Sequence, residues 1–224
     1  MTTFTLWFEG DVSPILAAVV GLGWGFASDR IAARWPEHED GTTRGIDWRT
    51  LLVVLMGGAS FAATVSRFGD QPGQLVVVGV YVLALVLLFA TDLDQKLLPD
   101  VITLPLIPLA LVAFATGTGP YVHTVEDLAW AAAAAIGVPL GLYLLAIPFG
   151  AGAIGQGDLK LLVSVGLLAG ALKLFYGLVA GALLAGVVVA VLLVIRRLSM
   201  KSFVPYGPFL IAGTLWSLLA LTSP

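Results

Sequence analysis

Apolar residues run through this chain in long blocks, separated by short segments of Gly, Pro and charge. The block LVVVGVYVLALVLLFA (75–90) stops abruptly at TDLDQKLLPD (91–100). Blocks of about 20 apolar residues are what a helix needs to cross the hydrocarbon core of a bilayer. The pattern predicts about eight spans, over residues 13–33, 50–67, 73–91, 101–118, 125–148, 158–172, 173–195 and 205–222. A break near 170–173 is required because the nearly continuous apolar stretch 158–195 is too long for one crossing. Gly and Pro punctuate almost every other break, as turns between helices demand. The expected fold is an all-α polytopic membrane protein, a bundle of about eight transmembrane helices forming one domain over residues 1–224.

Composition agrees. The 224 residues are 59% hydrophobic and 11% charged, against about 45–50% and about 25% for a soluble domain. The start, MTTFTLWFEGDVSP, lacks the basic segment of a cleavable signal peptide, so the first apolar block reads as a retained span. Cysteine is absent, which excludes disulfides, thiol nucleophiles and cysteine-ligated metal. His38 and His123 stand far apart without ligand spacing and read as loop residues; no metal or cofactor is expected.

Charge placement orients the bundle. With eight spans, Arg30, Arg34, Arg44, Arg49, Lys96, Lys160, Arg196, Arg197 and Lys201 fall on one face, and only Arg67 and Lys173 on the other. Loops rich in Lys and Arg stay in the cytoplasm. Both termini are therefore expected outside, in a multi-pass protein of the inner (plasma) membrane.

This topology brings two acidic segments to the cytoplasmic surface. Asp92 ends the third span and Asp158 opens the sixth. Two carboxylates sharing a site cannot both ionise cheaply, so one keeps a proton while the other accepts one. In GQGD (155–158), Gly155 and Gly157 leave room for a substrate backbone and permit a positive φ at the helix entry. The plainer reading makes Asp158 the N-cap of the sixth helix and Asp100, after Pro99, the cap of the fourth. Asp94 and Lys96 then belong to a solvated loop. Pro105 and Pro108 either kink the fourth span and open a lateral cleft or only bend a packed helix.

Three stretches together resemble the type IV prepilin peptidases, intramembrane aspartyl proteases of the GxGD group. TDLDQKLLPDVITLP (91–105) is similar to their first aspartate motif, through Asp92, the pair Pro99-Asp100 and the run Thr103-Leu104-Pro105. GQGDLKLL (155–162) resembles their second, with Gly155, Gly157, Asp158 and Lys160. VPYGPFLIAG (204–213) resembles their Pro-x-Gly-Pro-Phe segment through Pro205, Gly207 and Pro208. The likeness covers roughly residues 75–215. GLGWGFASDRIAARWP (21–36) faintly resembles the family's first span.

The resemblance implies that Asp92 and Asp158 are the catalytic pair, with Asp94, Asp100 and the other motif residues in support. It implies substrates that are type IV pilin-like or pseudopilin precursors, each a basic leader before a hydrophobic helix, met in membrane lipid. Many members carry an insert with two CxxC pairs and also N-methylate the product. Here the insert is reduced to EHEDGTTRGIDWR (37–49), without cysteine, so a protease-only form is expected. Asp158, at a helix N-terminus, is favoured as the anion and base, and Asp92, at a C-terminal end, as the acid.

Other classes compete. A proton- or cation-coupled secondary transporter also uses intramembrane acids and Gly-interrupted helices, but here the acids sit near one surface and the halves show no repeat. Proteases of the signal-peptide-peptidase or presenilin type pair GxGD with Tyr-Asp, whereas this chain has Thr91-Asp92. A non-catalytic assembly scaffold is disfavoured by the intact aspartates.

Overall fold

The computed structural model describes residues 12–36, 43–150, 154–196 and 206–220. Those residues form seven α-helices, one 3-10 turn and no strand. Five helices are long and apolar enough to cross a membrane, and two apolar helices are shorter. Large apolar side chains face outward on many of them, including Val19, Leu55, Leu145, Leu183 and Val194. Exposed apolar surface on that scale is what lipid would cover. The chain divides into two compact units, residues 1–95 and 96–224.

The first unit holds α1 (Val12–Ala32), α2 (Trp48–Phe68) and α3 (Pro72–Gln95). Helices in lipid gain no hydrophobic energy from touching one another, so they associate by close packing of small residues. α1 and α2 do so through glycine: a Cβ on Gly57 would run into the carbonyl oxygen of Gly21, and a Cβ on Gly25 would lie 2.6 Å from that of Val53. Asp47 caps α2, accepting from the backbone N–H of Arg49 and Thr50, while Thr50 Oγ1 accepts from the N–H of Asp47.

The second unit holds α4 (Asp100–Ala115), α5 (Val125–Ala146) with the 3-10 turn Ile147–Phe149, α6 (Gln156–Val194) and α7 (Gly207–Leu219). α6 packs on α4, α5 and α7. It is 39 residues long but not one rod, because Gly170 has φ 78° and ψ 170°. Only glycine takes that backbone without strain. A Cβ on Gly166 would lie 3.1 Å from Leu174 Cδ2, whereas eight residues of unbroken helix span about 12 Å. The helix therefore folds back on itself at Gly170.

Where eight spans were expected, the described residues form seven α-helices, five of them long and apolar enough to cross a membrane, and the expected sixth and seventh lie on either side of Gly170 in α6. α4 and α7 are shorter than expected, and α3 runs on to Gln95, so TDLDQ is the last turn and a half of a helix, not a loop. α4 continues unbroken through Pro105 and Pro108, which are both exposed. His123 lies in the loop before α5, as expected; His38 lies outside the described residues.

At the turn-back end of α6, Lys173 is buried over the Tyr121 ring, 4.2 Å from its centroid. Its ammonium donates to the carbonyl of Ser217 (3.2 Å), and Ser217 Oγ donates to the Lys173 carbonyl (2.6 Å).

Candidate active site

Asp92 lies in the last turn of α3, 4% exposed. That position is inherently weak: the last four carbonyls of a helix lack intrahelical partners, and the negative end of the dipole disfavours acid. α3 has no basic residue of its own there. Other elements supply the positive charge. Arg44 donates from Nε to Asp94 Oδ1 (2.7 Å), from Nη1 to Asp47 Oδ1 (2.6 Å) and from Nη2 to Asp29 Oδ1. Arg49 Nη1 adds a second donor to Asp94 Oδ1 at 2.9 Å. Asp29, fully buried in α1, also takes Arg30 and the Thr50 hydroxyl. Gln95 Nε2 donates to the carbonyls of Ala32 (3.1 Å) and Pro36 (2.7 Å). Burial works against charge on Arg44, but the hydrogen bond to Asp29 and the nearby carboxylates outweigh it and hold the guanidinium above its ordinary range.

Asp94 is therefore not in a solvated loop. Its side chain is 3% exposed and shared by two arginines. Asp29, Arg44 and Arg49 escaped the sequence reading as site residues because their partners come from three separate stretches of chain. The only hint was the cluster of charge around residues 29–49.

Asp158 has different surroundings. α6 starts at Gln156 with Gly155 as its N-cap, so Asp158 is the third helical residue and not the cap. Gly155 has φ −65°, and Gly157 is helical, so neither uses the positive φ anticipated for GQGD. Gly157 is small for another reason: a Cβ there would lie 2.6 Å from Leu98 Cβ. That close approach seats the start of α6 on the segment before α4. A Cβ on Gly155 would sit 3.1 Å from Asp158 Oδ2.

Asp158 is buried, and its Oδ1 has no hydrogen-bond partner among the described residues. It lines a cavity of about 450 Å³ with Leu142, Leu162, Leu178, Ala182 and Leu210, and Tyr206 is the other side chain there with a polar group. The Tyr206 hydroxyl donates to the Leu178 carbonyl at 3.2 Å. Tyr206 was legible in VPYGPF only as the unassigned position of the motif.

The remaining motif residues have structural places. Asp100 is the first residue of α4, with Pro99 in the cap position, so it too is not the cap. Its carboxylate takes the Lys160 ammonium at 2.6 and 2.7 Å on an exposed surface. Gly207 and Pro208 open α7 and are buried; Pro205 lies outside the described residues. Among the described residues no three His, Asp or Glu gather as metal ligands.

Comparison with known proteins bears on this arrangement. The model of the type IV leader peptidase family matches residues 79–195, a range that contains both Asp92 and Asp158. The chain is 33% identical over 170 residues to the prepilin leader peptidase/N-methyltransferase of Burkholderia pseudomallei, covering 72% of this chain and 52% of that protein. It is 32% identical over 171 residues to the protein of the same name from Dickeya chrysanthemi, covering 74% and 57%. The chain spans about half the length of these curated relatives. No solved structure matches it significantly. Its helices and the matched range together place the chain in the type IV leader peptidase family.

Proposed function

We propose that the protein is an aspartyl endopeptidase that removes the leader of type IV pilin-like or pseudopilin precursors at the cytoplasmic surface of the inner membrane. The observation that carries this reading is Asp158, a buried carboxyl with one oxygen unpartnered in the wall of an apolar cavity. Such an atom is costly unless it meets a donor from water or substrate. In a low-dielectric wall a carboxyl is poised for proton transfer.

The chemistry assigned to the pair is hydrolysis. Ionised Asp158 takes a proton from water as its oxygen attacks the scissile carbonyl. Protonated Asp92 donates to the carbonyl oxygen. As the tetrahedral gem-diol collapses the C–N bond breaks, Asp158 passes the proton it took from water to the departing amine of the mature chain, and a hydroxyl of the gem-diol returns a proton to Asp92. The dipole at the N-terminus of α6 favours the anion at Asp158, and the C-terminal end of α3 favours the neutral acid at Asp92. Asp94, Pro99, Gly155, Gly157, Pro205, Gly207 and Pro208 act in support, while Asp100 and Lys160 contribute only an exposed ion pair between the starts of α4 and α6. The cysteine-free segment 37–49 favours a protease-only form over the peptidase/N-methyltransferase of the relatives' names.

The reading includes eight crossings with both termini outside. A cysteine-free chain makes that easy to test. An impermeant maleimide on intact cells should label His123→Cys and not Ile46→Cys, and the reverse pattern would overturn the orientation. For the activity, the purified protein in lipid nanodiscs is given a precursor with a basic leader and a hydrophobic helix, and leader loss is followed by mass spectrometry. Cleavage by the wild type, absent from folded Asp92→Asn and Asp158→Asn, is the expected result. Near-normal cleavage by either variant rules out the two-aspartate mechanism.

A further inference from the structure

We propose that Arg44 and Asp94 are positioning residues for Asp92: the loop before α2 grips the last turn of α3 and fixes where the Asp92 carboxyl stands. The inference rests on the catalytic reading of Asp92. Its basis is the geometry around Asp94. Successive helical residues are about 100° apart, so Asp92 and Asp94 leave the same turn roughly 200° apart. A clamp on Asp94 therefore holds the turn from one side while leaving the Asp92 carboxyl on the other.

The clamp is anchored away from α3. Arg44 spends its three guanidinium nitrogens on three different carboxylates, Asp29 of α1, Asp47 at the start of α2 and Asp94 of α3. Arg30 Nη1 and Nη2 donate to the carbonyls of Arg44 and Gly45 at 3.2 and 3.1 Å and so fix the loop itself. Gln95 ties the next residue to the end of α1. Three arginines face three aspartates, Arg30, Arg44 and Arg49 against Asp29, Asp47 and Asp94, so the cluster is neutral as a whole. Asp94 and Gln95, the last two residues of α3, are thus both tied to residues outside that helix.

A planar guanidinium that satisfies three carboxylates in a fixed fork cannot be replaced by a point charge. Lysine at 44 keeps the charge and loses the geometry. A displacement near 1 Å of a reacting group can cost about a hundredfold in rate. Folded Arg44→Lys and Asp94→Asn should therefore lose about ten- to a hundredfold in kcat while KM stays within about twofold.

The experiment measures kcat and KM per folded molecule for Arg44→Lys, Asp94→Asn and Asp94→Glu, with thermal unfolding of each followed in the same nanodiscs. Leu85→Ala, in the buried part of α3, serves as a control that weakens the fold without touching the clamp. Partial return of kcat in Asp94→Glu, with Leu85→Ala keeping wild-type kcat per folded molecule, supports the proposal. Wild-type kcat in folded Asp94→Asn and Arg44→Lys overturns it. If those two are normal while Asp92→Asn and Asp158→Asn are inactive, only the positioning role fails. If Asp92→Asn cleaves normally, the catalytic reading fails and the positioning role falls with it.

Discussion

Asp92 and Asp158 are both buried carboxyls at the end of a long apolar helix, yet the protein holds them by opposite means. Asp92 belongs to a turn fixed by charge, in which arginines from the loop and from α2 grip its neighbour Asp94. Asp158 belongs to a turn fixed by shape, in which Gly157 closes against Leu98 and the carboxyl looks into an apolar cavity. The contrast follows from helix polarity. A C-terminal turn has unmet carbonyls and a negative dipole, so it needs cations from outside to carry acid. An N-terminal turn already offers N–H groups and a positive end, so it needs only to be packed.

The largest expected effect erases the distinction. On the proposed mechanism Asp92→Asn and Asp158→Asn should each lower cleavage by at least about 10²-fold, the loss of one proton-transfer group; a leader-removal assay on folded protein reads it. Next comes Arg44→Ala, which leaves Asp29 and Asp94 buried beside fewer cations. Stranding buried charge costs about 3–5 kcal/mol, visible as a fall in the unfolding temperature and in the yield of folded protein. If the charge-fixed turn tolerates this loss, the first half of the comparison is wrong.

Gly157→Ala tests the second half. Overpacking against Leu98 should cost about 1–3 kcal/mol and lower kcat by moving Asp158, with unfolding and kinetics measured side by side. The smallest effect belongs to Asp100→Ala or Lys160→Ala. That ion pair is exposed, with side chains 55% and 33% accessible, and such pairs contribute about 0.2–1 kcal/mol. Wild-type kcat and a nearly unchanged unfolding temperature are expected despite the place of both residues in the sequence motifs.

Much of this was readable from the chain. Apolar block length fixed the positions of α1, α2, α3 and α5, because span length is a property of consecutive residues. The break in α6 was readable for the same reason, although its cause, the backbone angle of Gly170, was not. Helix ends were less legible. The acid in TDLDQ suggested a loop, but α3 absorbs it because arginines distant in sequence neutralise the turn. The GQGD glycines suggested unusual backbone angles, whereas Gly157 is needed for contact with Leu98, a partner no local pattern names. The Arg44 cluster depends on α1, α2 and α3 meeting, which is tertiary information and leaves almost no local trace.

The glycine contacts between helices bear on how a substitution survey of this protein will look. Gly21 and Gly57 in one unit, and Gly181 and Gly213 in the other, press backbone on backbone with no space for even a methyl group. A survey scoring every replacement by residual function would flag these four as intolerant, on a par with Asp92 and Asp158. Of these six positions, the two aspartates alone would, on the proposed mechanism, pair lost cleavage with normal amounts of protein in the membrane. Abundance scored beside activity is therefore what separates residues that do chemistry from residues that merely let two helices touch.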